Sequence, residues 1–315
     1  MRYRLAYSQK EIAEHLGVSA MTVSRLLDRA RKLGVVEIVV HTPIQEDSRL
    51  EDSLCSRFPL ERAVVVGVRL EENPLDALAR AAAFYLDVML SPGDVLGISA
   101  GRTMTRVLPY LRLPGIRTPG DLSVVQTTGG FPNPHSYNPI TTLQAFANRF
   151  GIRGTFYNLP VYAPSAEAFA AMSTHLLDPQ VLEMWRTCTI TVTGVGGCDN
   201  DSIYRIENAI TEEEMVALQG SGAVGAIYGR WFDQSGRFLQ TELNSRALGI
   251  PMEMVRKIPR KVLVSHGIEK LAAISGALAS KVFNVFITSD VTAAALVDSA
   301  NRIGAAPPLS ETSRQ

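Results

Sequence analysis

A chain of 315 residues, 46% hydrophobic and 20% charged, is long enough for one large core and a smaller second unit, and its composition excludes wholesale disorder. Lysine plus arginine equal aspartate plus glutamate at 31 each, which argues against a surface that grips a polyanion everywhere. The cysteines, Cys55, Cys188 and Cys198, lack the spacing of a zinc site or a secreted scaffold, so a reduced cytoplasm is expected, with no metal and no other cofactor. No apolar stretch follows the charged start, and the longest uncharged run, 122–148, holds Pro132, Pro134 and Pro139. Neither a signal peptide nor a membrane helix is expected.

The charge is unevenly placed. Up to Thr42 there are seven basic residues (Arg2, Arg4, Lys10, Arg25, Arg29, Arg31, Lys32) and four acidic ones (Glu11, Glu14, Asp28, Glu37), leaving 24 and 27 beyond. A small basic segment is thus joined to a larger, slightly acidic one, which suggests two tasks. Residues 8–32 read SQKEIAEHLGVSAMTVSRLLDRARK. Ile12, Ala13 and Leu16 make a short apolar face, Gly17 supplies a turn, and Ser19 caps a second helix. In that helix Val23, Leu26, Leu27 and Ala30 keep the spacing of a buried stripe, which turns Met21, Arg25, Asp28 and Lys32 outward.

Two short helices around a glycine turn, the second exposing basic and polar groups, predict a helix-turn-helix over 1–42 that reads double-stranded operator DNA in the major groove. Arg25 suits a bidentate contact with guanine, and Met21 or Thr22 a thymine methyl. Lys10, Ser19, Ser24, Arg29 and Lys32 suit phosphates, and Gln9 completes the candidate DNA-binding set. A solvated helical hairpin is the plainer alternative. The alternating run 35–40 reads as a short strand, a wing or a strap, and 43–53 as a polar linker. One such weakly charged reader holds DNA loosely, so a homo-oligomer is expected.

Farther on, strands are expected at 63–68, 94–99, 122–126, 189–195, 224–227, 261–264 and 285–288. Helices are expected at 75–90, from Gly101 to near Pro114, and at 268–280. Apolar strands that each run into glycine or serine and then a helix predict an α/β domain over 54–304, Rossmann-like, its sheet mostly parallel and covered on both faces. The tail 305–315 is expected to fray.

The run over 8–27 resembles the DNA-binding segment of the SorC family of sugar-responsive bacterial transcription regulators. The rest resembles their effector domain in separated blocks that keep the family's order. These are Gly97-Ile98-Ser99-Ala100-Gly101-Arg102-Thr103, Thr127-Thr128-Gly129-Gly130, Gly194-Val195-Gly196-Gly197, the stretch 224–233, His266-Gly267-Ile268-Glu269-Lys270 and Ile287-Thr288-Ser289-Asp290. The resemblance implies a fold like that of glucosamine-6-phosphate deaminases and ribose-5-phosphate isomerases, used for sensing. It also implies a tetramer or dimer of dimers and a small carbohydrate effector, in many members a sugar phosphate. Three positions depart from the family pattern: Ala100 where an aromatic residue is common, Ala226 where an acidic one is, and His266 where glycine is.

The candidate effector-binding residues are Ser99, Gly101, Arg102, Thr103, Gly129, Gly130, Asn138 and Lys270. The turn 99–103 ends a strand and opens a helix, so backbone N–H groups, hydroxyls and a helix dipole can converge on a phosphate there, although a plain capped turn uses the same residues. Gly129-Gly130 follows a strand, where ligand crevices open, and is equally ordinary turn chemistry. Asn138 suits a ligand hydroxyl or a helix cap. Lys270 stands early in a helix, where the dipole repels a cation and a bound anion would relieve it. His266, Asn244 and Arg246 are weaker candidates. Asp199, Glu207, Glu242 and Glu269 are available as general bases, but none lies in a catalytic motif. The expected function is a DNA-binding transcription regulator whose operator affinity is controlled by a small carbohydrate, a sugar phosphate being the leading expectation. The alternatives are a sugar-phosphate isomerase or deaminase fused to a DNA-binding segment, and the same regulator sensing an unphosphorylated sugar or polyol.

Overall fold

The computed structural model describes residues 7–33, 47–68, 71–99, 101–116, 118, 120–132 and 137–304, without the side chains of 31, 32 and 300–304. The strand expected at 35–40, Ala100 and the tail from 305 lie outside the described residues. The chain divides into two compact units, 1–44 and 45–315.

The first unit holds α1 (Gln9–Leu16) and α2 (Ala20–Lys32). Ser8 starts α1 with a capping box: its hydroxyl accepts from the Glu11 amide at 3.2 Å, and its own N–H donates to the Glu11 carboxylate at 2.7 Å. Gly17, left-handed at φ 64°, ends the helix, its N–H reaching the Ala13 and Glu14 carbonyls. Ile12, Ala13 and Val23 are buried together with Leu27 against them. Leu16 and Leu26, expected in that core, are 52% and 53% exposed within the unit. Two short helices cover only one narrow stripe on each other. Leu16, the last residue of α1, and Leu26, at the margin of the α2 stripe, fall outside it.

The second unit begins with α3 (Ser48–Arg57), capped by the Asp47 carboxylate, so helix occupies the latter part of the stretch expected as linker. It continues through β1 (Arg62–Val66), α4 (Pro74–Met89), β2 (Asp94–Ile98), α5 (Arg102–Val107), β3 (Leu122–Gln126), α6 (Pro139–Phe150) and β4 (Arg153–Thr155). Next come α7 (Ala166–Ala171), α8 (Pro179–Arg186), β5 (Ile190–Thr193), β6 (Gly196–Gly197), α9 (Ile203–Ile206), α10 (Glu212–Gly220), β7 (Ala223–Ile227) and β8 (Arg230–Asp233). Last are α11 (Glu242–Ser245), α12 (Met252–Lys257), β9 (Arg260–Val264), α13 (Leu271–Ala279), β10 (Val285–Ser289) and α14 (Asp290–Gly304). An Asn or Asp side chain followed by proline opens α4, α6 and α8, because proline's missing N–H costs nothing in a first turn. The helix expected to reach Pro114 stops at Val107. Pro109 cannot donate to the preceding turn, and the chain tightens into a single 3₁₀ turn, Leu108–Tyr110.

Seven strands form one sheet in the order β1-β10-β9-β5-β2-β3-β4, and every pair in it is parallel. Strands β1 and β10 are buried almost throughout, as expected for a sheet with helices on both faces. From β2 the chain moves outward to β3 and β4, then returns to the other flank of β2 as β5 and proceeds to β9 and β10. The strand order therefore reverses between β2 and β5, and in open α/β sheets the ligand crevice lies beyond the carboxyl ends of the strands at such a point.

The apolar run 224–227, expected in the parallel sheet, instead pairs antiparallel in a separate sheet, β6-β7-β8. Tyr228 and Gly229, both at positive φ (51° and 79°), form its two-residue hairpin, the backbone combination that suits the twist of paired strands. Trp231, Tyr204, Tyr162 and Phe131 pack beneath this sheet in a second core, with the Trp231 indole N–H donating to the Tyr162 hydroxyl at 2.9 Å. A strap, 247–250, then runs beside the end of β3: Gly129 N–H donates to Leu248 O and Ile250 N–H to Thr127 O, both at 2.9 Å. The half-buried Arg230 guanidinium ties strap to hairpin by donating to the carbonyls of Tyr228 (3.1 Å), Ile250 (3.0 Å), Ala247 (3.4 Å) and Gly249 (3.4 Å).

At the amino end of the sheet, away from that crevice, Asp94 is buried. Its carboxylate accepts from Arg260 at 2.6 Å, from the Thr189 hydroxyl at 2.6 Å and from Ser91 N–H at 2.8 Å, clamping β2, β5 and β9 together. Removing one partner of such a group strands the other charge. Asp94→Ala is expected to lower the unfolding free energy of the full chain by about 2 kcal/mol in urea titration, less than for a fully dry pair because Arg260 keeps some water. Asp94→Asn, which keeps most of the hydrogen-bond sites, is expected to lose less.

Candidate effector pocket and nucleic-acid interface

A cavity of about 350 Å³ opens where the strand order reverses. Its floor comes from the carboxyl ends of β2 and β5: Ser99, just after β2, and Thr193, the last residue of β5, are both buried, and their hydroxyls share a hydrogen bond of 2.6 Å. One wall is the small antiparallel sheet with its hairpin, through Gly196, Gly197, Ala226 and Tyr228, and another is the segment Asp199, Asp201, Ile203 and Tyr204. At Gly194 a Cβ would come 3.2 Å from the Thr103 hydroxyl, a tight contact that would displace that side chain by a few tenths of an ångström.

Among the sequence candidates, Ser99, Gly101, Arg102, Thr103 and Lys270 line this cavity. Gly129, Gly130 and Asn138 do not, and each is engaged elsewhere. A Cβ on Gly129 would overlap the Pro160 carbonyl, so this glycine permits the strap and a neighbouring chain segment to close over β3. Gly130 exchanges backbone hydrogen bonds of 2.8 Å with Leu159 and Val161. Asn138 caps α6 by accepting from the Ile140 amide at 3.3 Å, and its NH₂ donates to Phe131 O at 3.0 Å. The residues on either side of the glycine pair, Thr128 and Phe131, are the ones on the cavity. Helix α5 is short, so its dipole adds less positive potential than a long helix would, and side chains must supply most of it.

Two cations face the space. Arg102 donates to Asp201 O at 2.9 Å, and the Lys270 ammonium has no hydrogen bond or ion pair among the described residues, only its backbone N–H bonding Gly267 O. Burial lowers the Lys270 pKa, and the neighbouring Arg102 lowers it further, against the opposing pull of Glu269 and Asp199. An anion placed between them would reverse both penalties. Tyr204 and Tyr228 are neutral: burial pushes the first up to about 12 and raises the second further, where Tyr228 shares a 3.2 Å hydrogen bond with Thr191. His266 is not on the lining, and burial followed by Lys270 lowers its pKa, so it is neutral near pH 7.

Of the spare carboxylates, Asp199 and Glu269 line the cavity whereas Glu207 and Glu242 do not. Asn244 clasps β8, its amide bonding both the N–H and the C=O of Trp231 at 2.7 and 2.8 Å, and Arg246 is spent on Ala163 O and Glu214. Burial holds the Cys188 and Cys198 thiols up at about 12 and about 11, both protonated. Among the described residues there is no His, Cys, Asp and Glu cluster able to hold a metal ion, and no helix long and apolar enough to cross a membrane.

In the first unit Lys10, Ser19, Met21, Thr22, Arg25 and Arg29 are exposed, with Gln9 and Ser24 half-buried. Ser19 serves its own helix: its oxygen accepts from the Thr22 amide at 3.1 Å and lies 2.9 Å from the Thr22 hydroxyl. What α2 leaves for a groove is therefore led by Met21, Arg25 and Arg29.

Residues 42–298 match the Sugar-bind family of sugar-binding domains, and residues 1–33 match region 4 of sigma-70 factors, a DNA-binding helical module. The chain is 31% identical over 303 residues, 94% of each protein, to the deoxyribonucleoside regulator of Bacillus subtilis (strain 168). It is 27% identical over 307 residues, again 94% of each, to the sorbitol operon regulator of Klebsiella pneumoniae. The solved structure of the full-length sorbitol operon regulator SorC from Klebsiella pneumoniae superposes with a TM-score of 0.71 at 26% identity, covering 94% of this chain and 96% of that one. These relatives are transcription regulators rather than enzymes. The chain belongs to the SorC family, sugar-responsive transcription regulators in which a DNA-binding helix-turn-helix precedes an α/β sugar-binding domain.

Proposed function

We propose that the effector is a small phosphorylated carbohydrate, seated over Ser99 and Thr103 with its phosphate between Arg102 and Lys270. The observation that carries this reading is Lys270: a half-buried ammonium on a cavity wall, beside a second cation and without a hydrogen bond or ion pair among the described residues. A desolvated, unpaired cation is costly, and a ligand oxyanion is the group that repays it. The fold reading that goes with it is an isomerase- or deaminase-like pocket put to sensing. A second reading, an unphosphorylated sugar or polyol, is favoured by the carboxylates of Asp199, Asp201 and Glu269 on the same cavity, which accept from hydroxyls and repel phosphate.

The DNA contacts are assigned to α1 and α2, with Arg25 reading a guanine edge, Met21 and Thr22 a thymine methyl, and Gln9, Lys10, Ser19, Ser24 and Arg29 holding the backbone. Several readers held together by the sugar-binding domain, as a tetramer or dimer of dimers in the cytoplasm, would raise affinity for paired half-sites. The effector acts by favouring one of two arrangements of those readers.

Lys270→Met is expected to weaken binding of inorganic phosphate and of sugar phosphates by tenfold or more, about 1.4 kcal/mol, in isothermal titration, while any binding of free sugars persists. Because the Lys270 pKa lies below that of a free lysine, phosphate affinity should fall as pH rises through it. Free sugars bound as tightly as their phosphates by the unsubstituted chain would replace the first reading with the second. On DNA selected by the full chain from a random pool, Arg25→Ala should relax preference at one base step, at a cost of about 1–3 kcal/mol. Arg29→Ala should instead weaken all sequences alike and reduce the salt slope by about one. Fluorescence anisotropy over a salt series separates the two outcomes.

A further inference from the structure

Lys270 stands on a turn that its own side chains do not hold in place. The chain leaves β9 through Ser265 and His266, bends at Gly267, and makes a single 3₁₀ turn, Ile268–Lys270, before α13 begins. Ile268 is 51% exposed and Glu269 is exposed. Among the described residues the side chains of His266, Glu269 and Lys270 make no hydrogen bond or ion pair. Gly267 lies at φ 111° and ψ 133°, backbone that glycine enters freely and has little intrinsic reason to keep.

One bond fixes this turn from outside. The Gly267 N–H donates to the hydroxyl oxygen of Thr292 at 2.9 Å. Among the described residues no other hydrogen bond joins 266–270 to an element other than the helix they lead into. Thr292 is 1% exposed, in the first turn of α14, and its hydroxyl also lies 2.9 Å from that of Ser289, the last residue of β10. The next residue, Ala293, and Leu296 one turn on are buried in the main core, so the acceptor is rigidly mounted. The Lys270 N–H closes the turn on Gly267 O at 3.1 Å, and rotation at Gly267 therefore carries Lys270 with it.

We propose that Thr292 is a positioning residue of the effector site: it is off the cavity lining, and it holds the Gly267 turn so that the Lys270 ammonium stays over the cavity. This rests on the assignment of Lys270 as the group that receives the anion. The ammonium faces Arg102 on α5, Asp199 on the neighbouring wall and Glu269 on its own turn. Without the tie it would swing toward water, where a lysine head group is better solvated. A binding group left loose loses affinity although its chemistry is unchanged.

Thr292→Val, Thr292→Ser and Ser289→Ala test this in the full chain, each first shown to be folded by its thermal melt. One readout is the pH dependence of lysine labelling by acetic anhydride, followed by mass spectrometry; the other is isothermal titration with inorganic phosphate. Only the neutral amine is acylated, so the labelling midpoint of Lys270 follows its pKa, which burial and Arg102 hold below that of a free lysine. Thr292→Val keeps the branched shape and removes the acceptor. Its midpoint is expected to rise toward that of a free lysine, and its phosphate affinity to fall about fivefold. Thr292→Ser is expected to restore both. Ser289→Ala takes the other hydroxyl from Thr292 but leaves the acceptor for Gly267, so both readouts should match the unsubstituted chain even where the melting temperature falls. Should Thr292→Val fail to fold, Thr292→Cys, with its weaker acceptor, is read in its place. An unchanged midpoint in Thr292→Val, an equal rise in Ser289→Ala, or a rise that Thr292→Ser does not reverse would overturn the proposal. If phosphate does not bind the unsubstituted chain, the phosphate reading falls; a midpoint that still rises in Thr292→Val and returns in Thr292→Ser leaves the role of Thr292 standing.

Discussion

The half-buried guanidinium of Arg230 holds together the parts from which the cavity is made. Burial lowers its pKa, and no carboxylate lies within ion-pair distance among the described residues. The charge is balanced instead by carbonyl oxygens from the hairpin at Tyr228 and from the strap at 247–250. Through the strap the same side chain fixes the end of β3, and through the hairpin it fixes the wall that carries Tyr228. A planar group with five donors suits this task, whereas a lysine in its place could reach fewer of those carbonyls.

Around that tie the two sheets have separate work. The parallel sheet supplies strand ends in a fixed lateral order, so hydroxyls and charges from β9, β5, β2 and β3 arrive along one line. The small antiparallel sheet closes the line from above and brings its own aromatic core with it. Close packing of the small sheet on α13 depends on glycine: a Cβ on Gly225 would come 2.7 Å from the Ala273 methyl carbon, and one on Gly276 would come 2.9 Å from Asp233 O. The wall is therefore seated through glycines on both sides, with β7 and β8 each meeting α13.

Much of this was legible in the sequence. The alternation of apolar strands and helices specified the parallel sheet, and the strand-turn-helix at 99–103 is a segment that lines the cavity. Lys270 was legible because a cation at a helix start is electrostatically out of place. The glycines Gly129 and Gly130 misled because glycine serves a close ligand and a close backbone equally well, and only the position of Pro160 decides between them. Thr128, which lines the cavity, was not singled out because a threonine beside two glycines reads as turn chemistry. The run 224–227 was placed in the wrong sheet because a buried strand has the same pattern in either, and Tyr-Gly is an unusual spelling of a tight hairpin. Leu16 and Leu26 show the limit of periodicity, which marks a stripe but not how much of it a partner covers.

The hairpin at Tyr228 also bears on how such a chain can change over time. A tyrosine in left-handed backbone costs about 1 kcal/mol relative to glycine, yet this one also forms part of the cavity wall. The ring is buried, stacked with Phe283 and hydrogen-bonded to Thr191. Truncating a buried aromatic side chain costs about 3–5 kcal/mol, more than a relaxed hairpin returns. The core therefore holds the tyrosine in its left-handed turn, and a chain that stopped sensing would still keep it.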